Sequence, residues 1–480
     1  MVTTNPAARS AARIHAFTDD VLGDRDGVAL GRLVASGAAH PDELVAASEQ
    51  RAAAVDDRLG AVAHQAALPR RAANPHSALD AVPTYAKDNM AVAGMPTAFG
   101  TAAFVAEPAR RDGPYARQFL ATGMTVLGKS RMPEFGLNAS TEFVDAPPTR
   151  NPWDPSCSVG GSSGGSAALV AAGVVPLAHA NDGGGSIRIP AAAAGLVGLK
   201  PTRGRHRDSP QARKLPIKLI SEGVVSRSVR DTAACVHAME RAWRNPTLPP
   251  VGRVLGGSSR RLRIGVLDAT VGPAELDAAT RRSLEDTARQ LEANGHRLEP
   301  VVTPVDERFA VDFLHYWGLL ALLLSATGKQ LIDRGFDPTR MDPLSVGLRR
   351  HARRRLLEMP GVLARLRRAG RRSAVLFEHH DVVLSPVMAQ RSPALGELNP
   401  EVGYDTLIAR LVRQVAFTPL HNVAGFPAIA VPGPLDEEGL PTSTMLAATW
   451  GDERTLLELA FELEEARPFP RIQDAAPAWS

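Results

Sequence analysis

The residue types that could do chemistry concentrate between Ser158 and Pro201, where two clusters, Gly160 to Ser166 (GGSSGGS) and Gly183 to Ser186 (GGGS), share one short span. A flexible linker would stay polar throughout. Here each cluster borders apolar runs, Ala167 to Ala172, Val174 to Ala178 and Ile187 to Val197, so each sits at a turn between buried elements. Three glycines in a row let the backbone take positive φ and let a ligand approach without side-chain obstruction. Backbone N–H groups aimed outward from such a turn are what an oxyanion hole requires. Two other chemistries compete for the same residues. A phosphate-binding P-loop needs Lys and then Ser or Thr after its second glycine, whereas Ser166 and Ala167 follow Gly165. Gly160 to Gly164 satisfies the G-x-S-x-G of a nucleophile elbow, but an elbow needs a buried strand before it, and Asp154-Pro155-Ser156-Cys157-Ser158 is not one.

GGSSGGS, the downstream NDGGGSIRIPA and an upstream Lys87-Asp88-Asn89 together resemble the signature of the amidase signature family. The spacings also fit it: 75 positions from Lys87 to Ser162 and 24 from Ser162 to Ser186. Further similarity runs through GKSRMPEFG (128–136), TRNPWDP (149–155), GLVGLKPTRGR (195–205) and AFTPLHNVAGFPAIAVP (416–432), covering roughly residues 28 to 240 and 381 to 465.

The resemblance implies a Ser-cisSer-Lys triad. Ser186 would be the nucleophile, Lys87 the base and Ser162, after a cis Gly161-Ser162 bond, the proton relay. A hydroxyl is a poor nucleophile without a base, and a lysine serves as one only when burial keeps it neutral. The family pattern also makes the N–H groups of Gly183, Gly184, Gly185 and Ser186 the oxyanion hole. Ser163, Asp182 and Arg188 would support the nucleophile loop, and Gly136 and Asn138 would bind substrate. Taken singly, these residues have plainer readings: Lys87 as a solvated strand end, the serines as turn formers, Asp182 and Arg188 as a surface ion pair. The implied activity is hydrolysis of C–N bonds in small amides, aryl amides included, with esters and carbamates as further substrates, and with no metal or organic cofactor. A glutamine-hydrolysing amidotransferase subunit and a non-catalytic binding protein on the same scaffold are the alternatives. The intact Lys87, Ser162 and Ser186 argue against the second. One departure is Thr442-Ser443-Thr444-Met445 where relatives carry Gly and Gln, in a region that can line the acyl pocket.

The elements that must position these residues read as α/β. A helix is expected from about Ser166 to Ala172, a strand from Val174 to Ala178, and a helix opened by Pro190 and closed by Gly195. Upstream, helices are expected over Val28 to Ser36 and Pro41 to Val55, a polar loop over Arg71 to Leu79, and a Tyr115 to Ala121 helix feeding a Thr125 to Gly128 strand. The irregular HRDSPQARKLPIK (206–218) is an expected wall of the substrate pocket. A strand over Leu262 to Leu267 precedes a helix from Ala274 to Asn294, and residues 309 to 377 read as largely helical. In them Trp317 to Leu324 reads as core, with channel lining as the alternative. Strands Asp381 to Ser385 and Ala428 to Val431 and a helix Glu453 to Ala466 end the pattern. At 480 residues, two domains or one large domain with an insertion both fit the length. The family fold implies the latter: one large mixed twisted β-sheet surrounded by helices. Its parts would be an N-terminal helical region to residue 75, a catalytic core over 76–250, a helical insertion over 309–380 and a C-terminal part over 381–480 that completes the sheet.

Composition narrows the partners. With 44% apolar and 22% charged residues the chain has ample core, and a net charge of +4 does not argue for nucleic acid. The arginines of 349–372 read as the solvated face of helices whose Leu356, Leu357, Val362, Leu363 and Leu366 turn inward. Two cysteines, Cys157 and Cys235, make no disulfide framework or metal site and suit a reducing cytoplasm. Residues 1–20 lack the apolar core of a signal peptide, and no membrane-spanning apolar run is evident. A small-molecule substrate is the expected partner, with no nucleic acid and no membrane; a homodimer stays open.

Overall fold

The computed structural model describes residues 13–209, 212–269 and 274–474; residues 1–12, on which part of the signal-peptide reading falls, lie outside the described residues. Helices α1 (Gly27–Ala35) and α2 (Pro41–Leu59) come first. Pro41 opens α2, the Glu43 carboxylate accepts the His40 N–H at 2.6 Å, and Gly60 ends the helix at φ 62°. The helical reading of the first 75 residues then fails, because Val62–Arg71 is a strand, β1. It is a mostly exposed edge strand containing Pro69, so no apolar alternation marks it. The structure continues through β2 (Pro83–Lys87), α3 (Pro114–Leu120) and β3 (Thr125–Ser130). These strands form a three-stranded sheet in the order β1-β3-β2, with β2 parallel to β3 and β1 antiparallel to it.

The signature segment supplies α4 (Gly164–Ala171), β4 (Leu177–Asp182), α5 (Arg188–Ala194) and β5 (Val197–Lys200), followed by β6 (Ser221–Ser226) and α6 (Val229–Ala242). Two boundaries differ from the sequence reading. The strand lies at Leu177–Asp182 rather than at Val174 to Ala178, since Gly173 (φ 79°) ends the α4 turn and Pro176 keeps the next residues out of the ladder. Pro190 is the third residue of α5, not the first, because the Asp182 carboxylate accepts the Ile187 N–H at 3.2 Å and starts the helix earlier.

An eight-stranded sheet holds the rest of the chain together. It adds β7 (Arg263–Val266), α7 (Ala278–Ala293) and β8 (Arg297–Pro300), then four insertion helices, α8 (Arg308–Leu331), α9 (Pro343–Arg354), α10 (Met359–Arg372) and α11 (Leu376–His379). The C-terminal part gives β9 (Val382–Pro386), α12 (Tyr404–Gln414), α13 (Pro419–Ala424), β10 (Ala428–Leu435), β11 (Pro441–Ala448) and α14 (Glu453–Ala466). Strand order is β4-β6-β5-β10-β11-β9-β7-β8, antiparallel from β4 to β9 and parallel across β9-β7-β8. It is a mixed α/β fold with a large sheet flanked by helices. Helix α4, buried along its whole length, packs against β2 and β3 of the small sheet and β4 and β6 of the large one, so the two sheets meet over it.

The insertion departs from expectation in two ways. Val362 and Leu366 are buried, but Leu356 and Leu357 are exposed, Leu357 at 98%, because a single 3-10 turn (Leu356–Glu358) interrupts the helical spacing that would turn them inward. Helix α8 is, among the described residues, long and apolar enough to cross a membrane, which the sequence reading did not anticipate. Here it packs on α9 and α10 and buries Asp312, whose carboxylate takes two 2.7 Å hydrogen bonds from Arg365.

Candidate active site

Lys87 is the last residue of β2, placed where that strand runs beside β4. Thr84 Oγ1 donates to the Leu177 carbonyl at 3.0 Å and the Lys87 N–H donates to His179 Nδ1 at 3.1 Å, which locks the two strands. Accepting at Nδ1 leaves His179 to donate from Nε2 to Glu222 at 3.1 Å. The Lys87 side chain is wholly buried, and its Nζ donates to Ser162 Oγ at 2.8 Å and to Asn181 Oδ1 at 2.7 Å. Burial lowers the Lys87 pKa to about 7, against the opposing pull of Glu222 and Asp182. The neutral amine is therefore well populated near neutrality, and its lone pair can take a proton from Ser162 across the same contact.

Ser162 follows a cis Gly161-Ser162 peptide at the turn into α4. A Cβ on Gly136, which has φ 70°, would lie 2.9 Å from Ser162 Oγ, so glycine is required there. Ser163 holds the start of α4 to β4 through its Oγ, 3.3 Å from the Asn181 carbonyl and 3.4 Å from the Asn181 N–H.

Ser186 stands on the loop between β4 and α5. Asp182, fully buried, organises that loop by accepting from the Gly185 N–H (2.7 Å), Arg188 Nε (2.9 Å) and Asn422 Nδ2 (2.8 Å). Burial alone would raise the Asp182 pKa, but the Arg188 guanidinium overrides it and holds the carboxyl well below the usual carboxylate range. The plain surface ion pair is thus excluded, since both partners are inaccessible. Gly185 is a correction to the expected oxyanion hole. Its N–H is already engaged by Asp182, and its φ of 134° with a virtual Cβ 2.4 Å from Thr418 Oγ1 shows that only glycine fits this turn of the loop. Thr418 Oγ1 donates to the Gly184 carbonyl at 2.6 Å and fixes that peptide plane.

Ser186, Gly184 and Gly161 border one cavity, which encloses about 850 Å³ counted out to its open mouth. Gly136 and Asn138 line it as well. The Asn138 amide is committed to the backbone, donating to the Leu398 carbonyl at 2.8 Å and accepting the Ser140 N–H at 3.3 Å, so it shapes the wall. The described residues of the 206–218 loop, 206–209 and 212–218, do not line the cavity: Ile217 instead bonds the Tyr316 hydroxyl through both its N–H (2.9 Å) and its carbonyl (2.6 Å), bracing α8. Nor do Thr442 to Met445, which lie in β11, where Met445 Sδ accepts from Arg188 at 3.3 Å. Trp317 and Phe313 of α8 do line it, while Gly318, Leu320 and Ala321 of the same helix are core, so both readings of that segment hold in part. Among the described residues no group of three or more His, Cys, Asp or Glu side chains could hold a metal ion.

Sequence reasoning missed Asn181 and Asn422. Asn181 abuts the recognised Asp182 but reads as turn, because its burial depends on a strand that ends four residues later than expected. Asn422 lies 240 positions from Asp182 and bonds both its carboxylate and its carbonyl, a pairing that only the folded chain reveals.

The sequence model of the family described as Amidase matches residues 43–457. The chain is 47% identical over 465 residues to AmiC of Mycobacterium leprae (strain TN), covering 96% of this chain and 99% of that protein. It is 32% identical over 389 residues to the 6-aminohexanoate-cyclic-dimer hydrolase of Pseudomonas sp. (strain NK87), covering 75% of this chain and 77% of that protein. A solved 6-aminohexanoate cyclic dimer hydrolase superposes with a TM-score of 0.86 at 28% identity, covering 95% of this chain and all of that one.

Proposed function

The chain belongs to the amidase family and hydrolyses the C–N bond of carboxylic amides, and from that premise we propose that it does so through an acyl-enzyme on Ser186. The observation that carries this reading is Lys87 Nζ, buried and bonded at 2.8 Å to Ser162 Oγ, beside a cavity that Ser186 borders behind three glycines. Neutral Lys87 takes the Ser162 proton as Ser162 takes that of Ser186, and Ser186 Oγ bonds the carbonyl carbon. The resulting oxyanion is met by the N–H groups of Gly183, Gly184 and Ser186. The proton returns through Ser162 to the nitrogen, the C–N bond breaks and the amine leaves. Water then adds to the acyl carbon, giving its proton to the same relay, and the ester bond to Ser186 breaks to release the acid. Esters and carbamates present the same carbonyl and belong to the proposed range. A cytoplasmic setting is proposed on the buried thiol of Cys235, which forms no disulfide. The purified chain, without a partner protein, should release aniline from a neutral anilide, and Ser186→Ala should reduce that rate at least about 10³-fold; hydrolysis of glutamine only with a partner present would favour the amidotransferase reading.

A further inference from the structure

The cavity beyond Ser186 is walled by residues that carry no family signature. Helix α8 contributes Phe309, Phe313 and Trp317, and α12 contributes Ile408, Leu411 and Val412. Four-residue spacing on α8 stacks the three rings, Phe309 on Phe313 at 6.3 Å between centroids and 25° between planes, Phe313 on Trp317 at 5.5 Å and 23°. This aromatic ladder reaches the reacting centre. A Cβ on Gly184 would lie 3.2 Å from Phe313 Cζ, and one on Gly183 3.7 Å from Trp317 Cη2.

The chemistry of the lining is one-sided. Among the described residues no charged side chain borders the cavity, and its polar side chains are Ser186, the proposed nucleophile, and Asn138, whose amide is committed to the backbone. Trp317 likewise spends its Nε1–H on the Leu137 carbonyl at 3.1 Å. Of the ionisable residues of α8, Asp312 bonds Arg365, Tyr316 bonds the Ile217 carbonyl, His315 Nδ1 lies within 2.6 Å of the Val311 carbonyl, and Arg308 and Lys329 do not line the cavity. A charged substituent entering this space would give up its hydration and find no partner, whereas an apolar ring gains both burial and stacking.

We propose that this cavity selects amides bearing an uncharged, flat apolar group, an aryl ring above all, seated against Phe313 and Trp317, and rejects amides whose variable group is charged, free glutamine included. The proposal rests on the hydrolase reading for the position of the amide, but its test does not require turnover. The selected ring can belong to the acyl or to the amine side of the scissile bond, and two matched sets separate these: 4-methylbenzamide against 4-carboxybenzamide, and 4-methylacetanilide against 4-acetamidobenzoate, with glutamine alongside.

Affinity is measured by calorimetry on Ser186→Ala and turnover on the wild-type protein. In at least one set the neutral member should bind roughly 100-fold tighter than its carboxylate twin, with glutamine not binding; the set that discriminates identifies the side that holds the ring. Phe313→Leu should lower the affinity for that neutral ligand about tenfold, and Val412→Arg should narrow the neutral-to-carboxylate ratio about tenfold. Neutral and charged twins within threefold of each other in both sets, or no binding by any member, would overturn the proposal. Tight, selective binding to Ser186→Ala without turnover by the wild-type protein would leave the selectivity standing and refute the hydrolase mechanism instead.

Discussion

Three lysines in this chain are fully buried with lowered pKa values, Lys87 to about 7, Lys129 to about 8 and Lys200 to about 7, and only their contacts tell them apart. Lys129 donates to the Met90 carbonyl at 2.7 Å and Lys200 to the Pro201 carbonyl at 2.9 Å, so both are spent on structure; Lys87 alone of the three reaches a serine. Motif spacing made Lys87, Ser162 and Ser186 legible in the sequence, yet nothing in the composition of a strand says that a lysine at its end is buried. Because the folded pKa lies near 7, the neutral form and hence the rate should rise with pH through about 7, where it is half-maximal, and level off roughly one to two units above it. Lys87→Arg keeps the charge but offers no base, and kcat/KM should fall by roughly 10² to 10⁴ with the alkaline plateau gone; a near-normal rate at neutral pH would reduce Lys87 to a structural charge. Asn181 sharpens the same point. Its Oδ1 accepts from Nζ without adding charge, in a site where Glu222 and Asp182 already favour the ammonium and burial lowers the His179 pKa against the opposing pull of Glu222. Asn181→Asp would set a carboxylate at that 2.7 Å contact and raise the Lys87 pKa, so the rate profile should move about 1–3 units to the alkaline side with the plateau rate recovered at high pH. An unmoved profile would show that Lys87 does not govern the rate.

Among the elements, the junction of β4 with the nucleophile loop was the least legible and is the most consequential. Strand β4 carries His179, Asn181 and Asp182, polar residues that an apolar-run criterion assigns to a loop. They are tolerated in a fully buried strand because His179 bonds Lys87 and Glu222, Asn181 bonds Lys87 and Ser163, and Asp182 bonds Arg188 and Asn422. Helices fared better: α14 begins and ends where its amphipathic pattern does, while β1, an exposed edge, leaves no such trace. Asp182→Asn would remove the charge that compensates buried Arg188, and the chain should lose about 3–5 kcal/mol in a denaturant titration. The same pair sets an acid limit. Since the folded Asp182 pKa is depressed below its ordinary 3.8, its contribution is fully present above that value and is lost as pH falls below it. Wild-type unfolding free energy should therefore decline through that acid range more steeply than that of Asp182→Asn.

At the scale of the molecule, the proposed catalytic residues come from the seam where a small sheet carrying Lys87 and a large sheet ending in Asp182 meet over α4, while the pocket is walled by α8, inserted between β8 and β9, and by α12. This division explains what could be read in advance. Residues at the seam obey spacing constraints that local motifs display, whereas the pocket depends on which faces of α8 and α12 are brought together, a matter of packing over about a hundred positions that no local pattern encodes. It also explains why Ile217, close in sequence to Ser186, braces α8 rather than lining the cavity. The central claim is that this architecture delivers one activated nucleophile, Ser186. Labelling the intact chain with an aryl phosphonate and mapping the adduct by peptide mass spectrometry tests it most directly: the account predicts one adduct per chain, on Ser186, absent in Ser186→Ala and strongly slowed in Lys87→Arg, and an adduct on Ser162 that persists in Ser186→Ala would contradict it.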